Sequence, residues 1–149
     1  MILIQESHLK PGLSEPSIPG YGKPFRSDRA NKDRGGLIIY LKDSLIFRKV
    51  REENKSGTEL QTISIKLAGS RWVNLTNVYC PPDTSLAFAN ETLRLETDNI
   101  PVDSDSIIAG DFNARSILWD EIQPPDQRGT DVEDWVVDKD LSMMAHQLG

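Results

Sequence analysis

The fold is decided above all by the stretch from Ser106 to Arg115, which reads SIIAGDFNAR. Its first half is a short apolar run bounded by polar residues, a pattern typical of a buried β-strand. The strand leads directly to Asp111, and the amide of Asn113 and the guanidinium of Arg115 follow at close range. A carboxylate just past the end of a buried strand is well placed to project into a cleft at the edge of a sheet, although a strand-end acid is also a common turn residue.

The polar groups after this strand suit one kind of chemistry. An aspartate can orient or deprotonate a water molecule, an asparagine can donate to a phosphate oxygen, and an arginine can neutralise developing negative charge. Glu6 follows the short apolar run Ile2–Ile4 in the same way. Its hard oxygen atoms suit Mg²⁺, which usually takes only one or two carboxylates and keeps several waters. Together these residues predict a site for phosphodiester hydrolysis.

Outward from this stretch, apolar runs and period-two alternation predict further strands. They are Ile2–Ile4, Gly35–Leu41, Leu45–Val50, Thr62–Leu67 and Trp72–Tyr79, with a partly extended segment from Tyr21 to Arg29. The last two strands read as a hairpin, and the alternation in 62–67 predicts one solvent-facing side. Residues 10–22 read as a loop and residues 52–57 as a charged turn.

Two helices are predicted after the hairpin. Pro81 and Pro82 end the sheet, and Asp83 or Thr84 can cap a helix whose apolar face runs from residue 86 to residue 100. The sequence Thr130–Glu133 has the capping-box pattern and predicts a second helix with an apolar stripe of Val132, Trp135 and Val136. A further strand is expected within 141–149. The whole predicts one α/β unit, largely strands with helices packed outside them.

Composition excludes several classes of protein. No segment approaches the roughly 18 apolar residues that a membrane helix needs, and a single cysteine, Cys80, excludes an internal disulfide and suits a reducing compartment. We therefore expect an intracellular protein without a membrane partner. The net charge of −6 is uneven: residues 1–75 hold 13 Lys and Arg against 8 Asp and Glu, and residues 76–149 hold 4 against 15. The basic half could meet a polyanion, or the charge could be ordinary surface charge.

Three short motifs occur in the order and rough spacing of the endonuclease/exonuclease/phosphatase superfamily. They are Gln5-Glu6, the NVYCPP sequence of 77–82 and the GDFN sequence of 110–113. The resemblance implies an α/β fold of four layers, in which two packed mixed β-sheets are flanked by helices. It implies that Glu6 is a ligand of Mg²⁺, with Mn²⁺ as an alternative ion.

The same resemblance implies roles for the residues of the other two motifs. Tyr79 would contact the scissile phosphate, Asp111 would position the attacking water, and Asn113 would bind phosphate. Arg115 and Arg29 would join Tyr79 and Asn113 in binding the substrate. His8 follows Glu6 by two residues and could touch the site, but it is not the family's catalytic histidine.

Two longer sequences resemble the endonucleases of non-LTR retrotransposons, which are similar to exonuclease III. Arg29 followed by the RGGLIIY sequence of 34–40 is one, and the extension of GDFN to Trp119 is the other. This implies contact with the DNA phosphate backbone, a reverse transcriptase domain in the parent polyprotein and a nuclear location. A basic loop of Arg26, Arg29, Lys32 and Arg34 could follow the DNA, or be merely solvated. We expect Trp119 and Cys80 to be core side chains.

The chain also departs from the family pattern. The family has an upstream strand with an asparagine and a downstream Ser-Asp-His motif, and neither is found here, since His146 has no preceding Ser-Asp. Residues 1–149 are therefore expected to be a partial domain with impaired activity. Two alternatives stay open: a phosphatase of soluble or lipid phosphomonoesters, or an inactive remnant that at most binds.

Overall fold

A computed structural model describes residues 1–28, 35–55, 58–82 and 105–144 of the chain. Within these residues the elements are β1 (Ile2–Ile4), β2 (Phe25–Ser27), β3 (Leu37–Tyr40), β4 (Ile46–Lys55), β5 (Thr58–Lys66), a 3-10 turn (Ala68–Ser70), β6 (Trp72–Tyr79), β7 (Asp105–Asp111) and the helix α1 (Gln127–Asp138). No helix of the described part is long and apolar enough to cross a membrane.

The strands form two sheets. The small sheet has the order β1-β3-β2 and is antiparallel throughout. The large sheet has the order β4-β5-β6-β7, in which β4, β5 and β6 are antiparallel neighbours and β6 pairs with β7 in parallel. The predicted α/β class with two sheets is confirmed. Only the large sheet is mixed, because β6–β7 is the one parallel pair among the described strands. A parallel pair needs a long crossover connection between its strands.

The period-two alternation of β5 and β6 separates two apolar cores. One face of these strands packs against the small sheet, in a cluster made of Ile39, Leu41, Ile63, Ile65, Val73 and Leu75. The opposite face packs against α1, in a cluster made of Leu60, Val78, Cys80, Val132 and Trp135. Within the described residues the layers are therefore the small sheet, the large sheet and the helix, which is consistent with an incomplete form of the predicted four-layered sandwich.

Two predictions about the strands are wrong, and tertiary pairing explains both. Residues 52–55, predicted as part of a charged turn, continue β4 and pair with β5 after a shift in register between Lys49 and Arg51, where a β-bulge inserts one extra residue. The strand predicted at 62–67 has no solvent-facing side, because residues 58–65 of β5 are all buried. A strand covered on both faces keeps no wet side, whatever its alternation suggests.

Three predictions in the C-terminal half also need correction. β7 is not a buried strand: it lies at the edge of the large sheet, and Ile107 is 47% exposed. The second helix begins at Gln127, before the predicted capping box, because the Asp126 carboxylate accepts from the Gly129 amide and forms the N-cap. Residues 141–144 form no strand. The helix predicted for 86–100 and the residues from 145 onward lie outside the described part of the chain.

Candidate active site

The parallel pairing of β6 with β7 places the two downstream motifs side by side. Tyr79 and Asp111, the last residues of their strands, are register partners. Since partners on neighbouring strands project to the same face of a sheet, both belong to the face that packs on the small sheet. Asn77 lies on that face as well, two residues before Tyr79.

Asn77 also connects the first motif to this end of the large sheet. Its Oδ1 accepts from Gln5 Nε2 at 2.5 Å, and its Nδ2 donates to the Ile4 carbonyl at 3.1 Å. Gln5 directly precedes Glu6, so the contact fixes the backbone of the predicted metal ligand beside the ends of β6 and β7. All three motifs, far apart in the sequence, thus converge on one region.

A compact network joins Asp111 and Asn113 to the segment after β6. The Asp111 carboxylate accepts from the Asn113 amide at 2.8 Å and from Asn113 Nδ2 at 3.3 Å. Asn113 Nδ2 also donates to the Cys80 carbonyl at 2.9 Å, and the Cys80 amide donates to the Asp111 carbonyl at 2.8 Å. Asn113 has a φ of +47°, a conformation that asparagine tolerates better than most residues. Its side chain is therefore held in place by both strand ends.

Tyr79 and Cys80 are buried, as is Asn77. Tyr79 is only 2% exposed, between its two register partners, Glu59 on β5 and Asp111 on β7. Contact of Tyr79 with a phosphate stays a prediction. Cys80 is buried as expected, and this burial raises the pKa of its thiol to about 11, which disfavours the reactive thiolate.

Glu6 lies in a short loop after β1 that backbone hydrogen bonds hold against residues 35–36. The amides that follow it, of Ser7 and His8, donate to the carbonyls of Gly36 and Gly35, both at 3.0 Å. Glu6 has a φ of +50°, and its carboxylate is exposed and lies 3.4 Å from Nε2 of His8. His8 thus contacts the predicted metal ligand, and its contact with a substrate stays a prediction.

The donor set limits the kind of metal site that could form here. Within the described ranges, no group of three or more His, Cys, Asp or Glu side chains is arranged to hold a metal ion. Glu6 supplies one exposed carboxylate instead. That is compatible with Mg²⁺, which relies on one or two carboxylates, waters and substrate phosphates, and it is unlike a closed structural zinc site.

The two described arginines from the predicted substrate-binding regions, Arg115 and Arg26, both have acidic partners within the chain. Arg115 Nε donates to Asp126 Oδ2 at 3.1 Å, and Arg115 Nη1 donates to Gln123 at 3.3 Å, so its guanidinium is already engaged within its own loop. Arg26 pairs with Glu15 and Asp28, both at 2.6 Å, and orders the loop of 10–28. Arg29 lies outside the described residues, as do Lys32 and Arg34.

Asp126 links the loop that follows the GDFN motif to the start of α1. It caps the helix, and it accepts from the Arg115 amide as well as from its guanidinium. Burial alone would raise its pKa, but these hydrogen bonds outweigh burial and hold the pKa below its ordinary value of 3.8. Because the folded-state pKa is the lower one, the stabilisation is complete above about pH 4 and is lost as the pH falls through the folded-state pKa.

We expect Asp126→Ala to lower the free energy of unfolding by about 1 kcal/mol at pH 7, since a lost N-cap costs that much. Asp126→Asn should retain the cap and lose only the charge-dependent part. Urea unfolding at pH 7 and pH 3 checks this, with Asp134→Ala on the exposed side of α1 as control. A gap between wild type and Asp126→Asn that stays equal at both pH values would contradict the role of the carboxylate charge.

Glu59 and Arg128, which shape the site, were missed in the sequence, and Asn77 was named there as part of a motif without a role of its own. Glu59 is fully buried, and its Oε2 accepts from the Gly36 amide at 2.8 Å, which ties the start of β3 to the large sheet. Arg128 is 8% exposed in the first turn of α1. Only Arg128 carried a signal in the sequence, as a cation at a helix N-terminus, where acids are favoured.

Trp119 has the structural role that the sequence suggested. Its Nε1 donates to the Ala114 carbonyl at 2.9 Å, and its ring packs on the cluster beneath α1. The tryptophan therefore closes the loop after GDFN onto the core and does not project into the candidate site as a separate group.

Comparison with known proteins agrees with this geometry. Residues 73–148, about half of the chain, match a family model described as endonuclease-reverse transcriptase. The match includes β6, β7 and α1 with Tyr79, Asp111 and Asn113. No curated protein matches the chain. The expected resemblance to retrotransposon endonucleases is confirmed, and the chain belongs to the endonuclease-reverse transcriptase family.

Proposed function

We propose that this chain is the DNA-nicking endonuclease domain of a non-LTR retrotransposon, which hydrolyses a phosphodiester by in-line attack of water with the help of Mg²⁺. The observation that carries the proposal is the parallel pairing of Tyr79 with Asp111, joined through Asn113 and placed next to the Gln5–Asn77 contact. It gathers a carboxylate, an amide and a phenol beside an exposed Glu6. We further propose a reverse transcriptase domain in the parent polyprotein and a nuclear location.

Each side chain has a distinct part in this mechanism. Glu6 would hold Mg²⁺, or Mn²⁺ as an alternative, and the ion would supply neutralisation of charge on the phosphate oxygens. Asp111, exposed at the strand end, orients the attacking water and accepts its proton. Tyr79 and Asn113 hold the phosphate, and Arg115 can add positive charge at the rim.

The network around Asn113 suggests how the substrate is accommodated. The two hydrogens of Nδ2 are directed to the Cys80 carbonyl at 2.9 Å and to Asp111 at 3.3 Å. The longer contact is the weaker one. A phosphate oxygen that replaces Asp111 as acceptor would therefore take this hydrogen bond from Asn113 Nδ2. The Asp111 carboxylate would then have more capacity to accept a hydrogen bond from the attacking water.

We also propose that the 149 residues by themselves cleave slowly. They contain no Ser-Asp-His sequence, and the loss of one group that stabilises the transition state lowers turnover by about 10²- to 10³-fold. Strongly impaired nicking is the expected result for the isolated chain.

The test is nicking of supercoiled plasmid with and without Mg²⁺. Glu6→Gln should raise the Mg²⁺ concentration needed for half-maximal nicking by about 10- to 100-fold or more. Loss of an outer-shell partner of a metal ligand already weakens metal binding by that factor. Asp134→Asn, a matched carboxylate-to-amide change on the exposed side of α1, should not alter it.

Other outcomes would favour the alternatives. Phosphate release from phosphoinositides without plasmid nicking would favour the phosphatase. A folded chain that is inactive on both substrates would favour an inactive remnant or a binding module.

A further inference from the structure

Arg128 makes a set of contacts that its place in the sequence does not explain. Its Nη1 donates to the carbonyls of Pro81 at 2.9 Å and of Cys80 and Phe112 at 3.3 Å each, and its Nη2 donates to Pro82 at 3.3 Å. All of these acceptors are backbone atoms. Through these four contacts the guanidinium binds the backbone of the two segments directly.

Such a position is costly for a charged residue. Burying an ionised group costs free energy unless it is fully hydrogen-bonded, and Arg128 is 8% exposed. It also lies in the first turn of α1, where the helix dipole disfavours a cation. The four carbonyl contacts contribute to offsetting both effects, so we expect their loss to disturb the backbone that they hold.

The contacted carbonyls belong to two different segments that end at the candidate site. Cys80, Pro81 and Pro82 directly follow Tyr79, and Phe112 lies between Asp111 and Asn113. Proline has no amide hydrogen, so the carbonyls are the only backbone hydrogen-bonding groups with which 81–82 can be held. One guanidinium thus holds the segment after β6 to the segment after β7.

We infer that Arg128 is a positioning residue that fixes Tyr79 relative to Asp111 and Asn113, a role that rests on the proposed hydrolysis at this site. It acts through the backbone and does not touch the substrate. A planar guanidinium can span several acceptors at fixed angles, whereas the ammonium of lysine is a single point with rotating donors. Charge alone is therefore insufficient at position 128.

The docking of α1 supports this role independently. Gly129, the next residue, lies so close to the loop that an added Cβ would fall 1.8 Å from the Arg115 carbonyl oxygen. The helix can approach this closely only because residue 129 has no side chain. This approach brings the guanidinium of Arg128 within reach of the strand ends.

The experiment compares Arg128→Lys with wild type and with Arg71→Lys. Arg71 is an exposed arginine directly before β6 that pairs with Asp105 at the start of β7. For plasmid nicking, Arg128→Lys should lower kcat by about 100-fold, the penalty for small misplacement of reacting groups, and leave KM for DNA unchanged. Arg71→Lys should match wild type in both. A rise in KM with kcat intact would overturn the inference, since it would place Arg128 in substrate binding.

Amide hydrogen exchange gives a readout that does not depend on activity. The amides of Cys80 and Asn113 both donate to Asp111, and in Arg128→Lys their exchange should accelerate about tenfold or more, as expected for local opening. Amides of the β5–β6 ladder should keep their rates. Unchanged exchange at Cys80 and Asn113, or an equal increase throughout the ladder, would overturn the inference.

A measurement on the unmodified chain decides the case in which Arg128→Lys does not fold. The guanidinium protons of Arg128 should exchange at least about tenfold more slowly than those of Arg71, because buried hydrogen-bonded groups are protected. Equal exchange for the two arginines would overturn the inference. If wild type does not nick DNA at all, the proposed function fails, while both exchange experiments still decide whether Arg128 holds the strand ends together.

Discussion

Asp111→Ala should lower the rate of Mg²⁺-dependent plasmid nicking by about 100-fold or more, because general base catalysis contributes 10²- to 10⁴-fold. The carboxylate is exposed at the end of β7, beside Tyr79, and it is the acceptor for both the amide and the Nδ2 group of Asn113. Its removal takes away the group that orients the water. It also releases the asparagine that binds the phosphate, so two contributions are lost together.

A second variant separates these contributions. In the unmodified chain the Asn113 amide donates to Oδ1 of Asp111 at 2.8 Å. Asp111→Asn keeps an oxygen that can accept this hydrogen bond, but a neutral side-chain amide cannot take a proton from water. We expect it to fold like wild type, with the Cys80–Asn113 contact intact, and to nick far more slowly than wild type but faster than Asp111→Ala, because it loses the base and keeps Asn113 in place. Asp134→Ala, which removes an exposed carboxylate from α1, should retain full activity. Nicking by Asp111→Ala above about a tenth of the wild-type rate would contradict a role as general base.

Gly129→Ala should destabilise the fold by about 1–3 kcal/mol, the usual cost of overpacking. Helix propensity predicts the opposite, since alanine in place of glycine within a helix is favourable by about 1 kcal/mol. The contacts of residue 129 decide whether Gly129→Ala raises or lowers the free energy of unfolding. A Cβ at 129 would lie 1.8 Å from the oxygen and 2.5 Å from the carbon of the Arg115 carbonyl, and neither backbone atom can move aside by a change of rotamer.

Relief of this clash would have to move α1 away from the loop. That movement would stretch the contacts of Asp126 with the Arg115 backbone and the hydrogen bond that Ser116 donates to Glu133. Urea unfolding measures the loss of stability, and nicking should slow in parallel because Arg128 moves with the helix. Asp134→Ala serves as the control, because it raises helix propensity at an exposed position of α1. A Gly129→Ala chain that is as stable as wild type would refute the close approach.

Local sequence patterns located most of the strands because the side chains involved respond mainly to whether they meet core or solvent. The apolar runs at 2–4 and 37–40 became β1 and β3, and the alternating hairpin became β5 and β6. Predictions failed where a neighbouring element changed that environment. Residues 52–55 look like a turn when taken alone, but pairing with β5 satisfies their backbone groups and extends β4.

The candidate site was foreseeable in its residues but not in its contacts. Motif order pointed to Tyr79, Asp111 and Asn113, and pairing of β6 with β7 brings them together. Nothing in the sequence indicated that Arg115 would be engaged by Asp126, or that Asn77 would hold Gln5. Such contacts depend on distances between segments that lie far apart in the chain, and local periodicity carries no information about those distances.

The stretch from Ser106 to Arg115 shows which features the sequence determined by itself and which depended on the tertiary structure. By itself the sequence determined that a strand ends in a carboxylate followed by an amide, and it identified the family, because motif chemistry and strand propensity are properties of adjacent residues. Only the tertiary structure decided that this strand lies at a sheet edge, parallel to β6, with Arg128 linking the two strand ends. A buried guanidinium selects its acceptors by their positions in space, and those positions exist only after the sheet and the helix have packed.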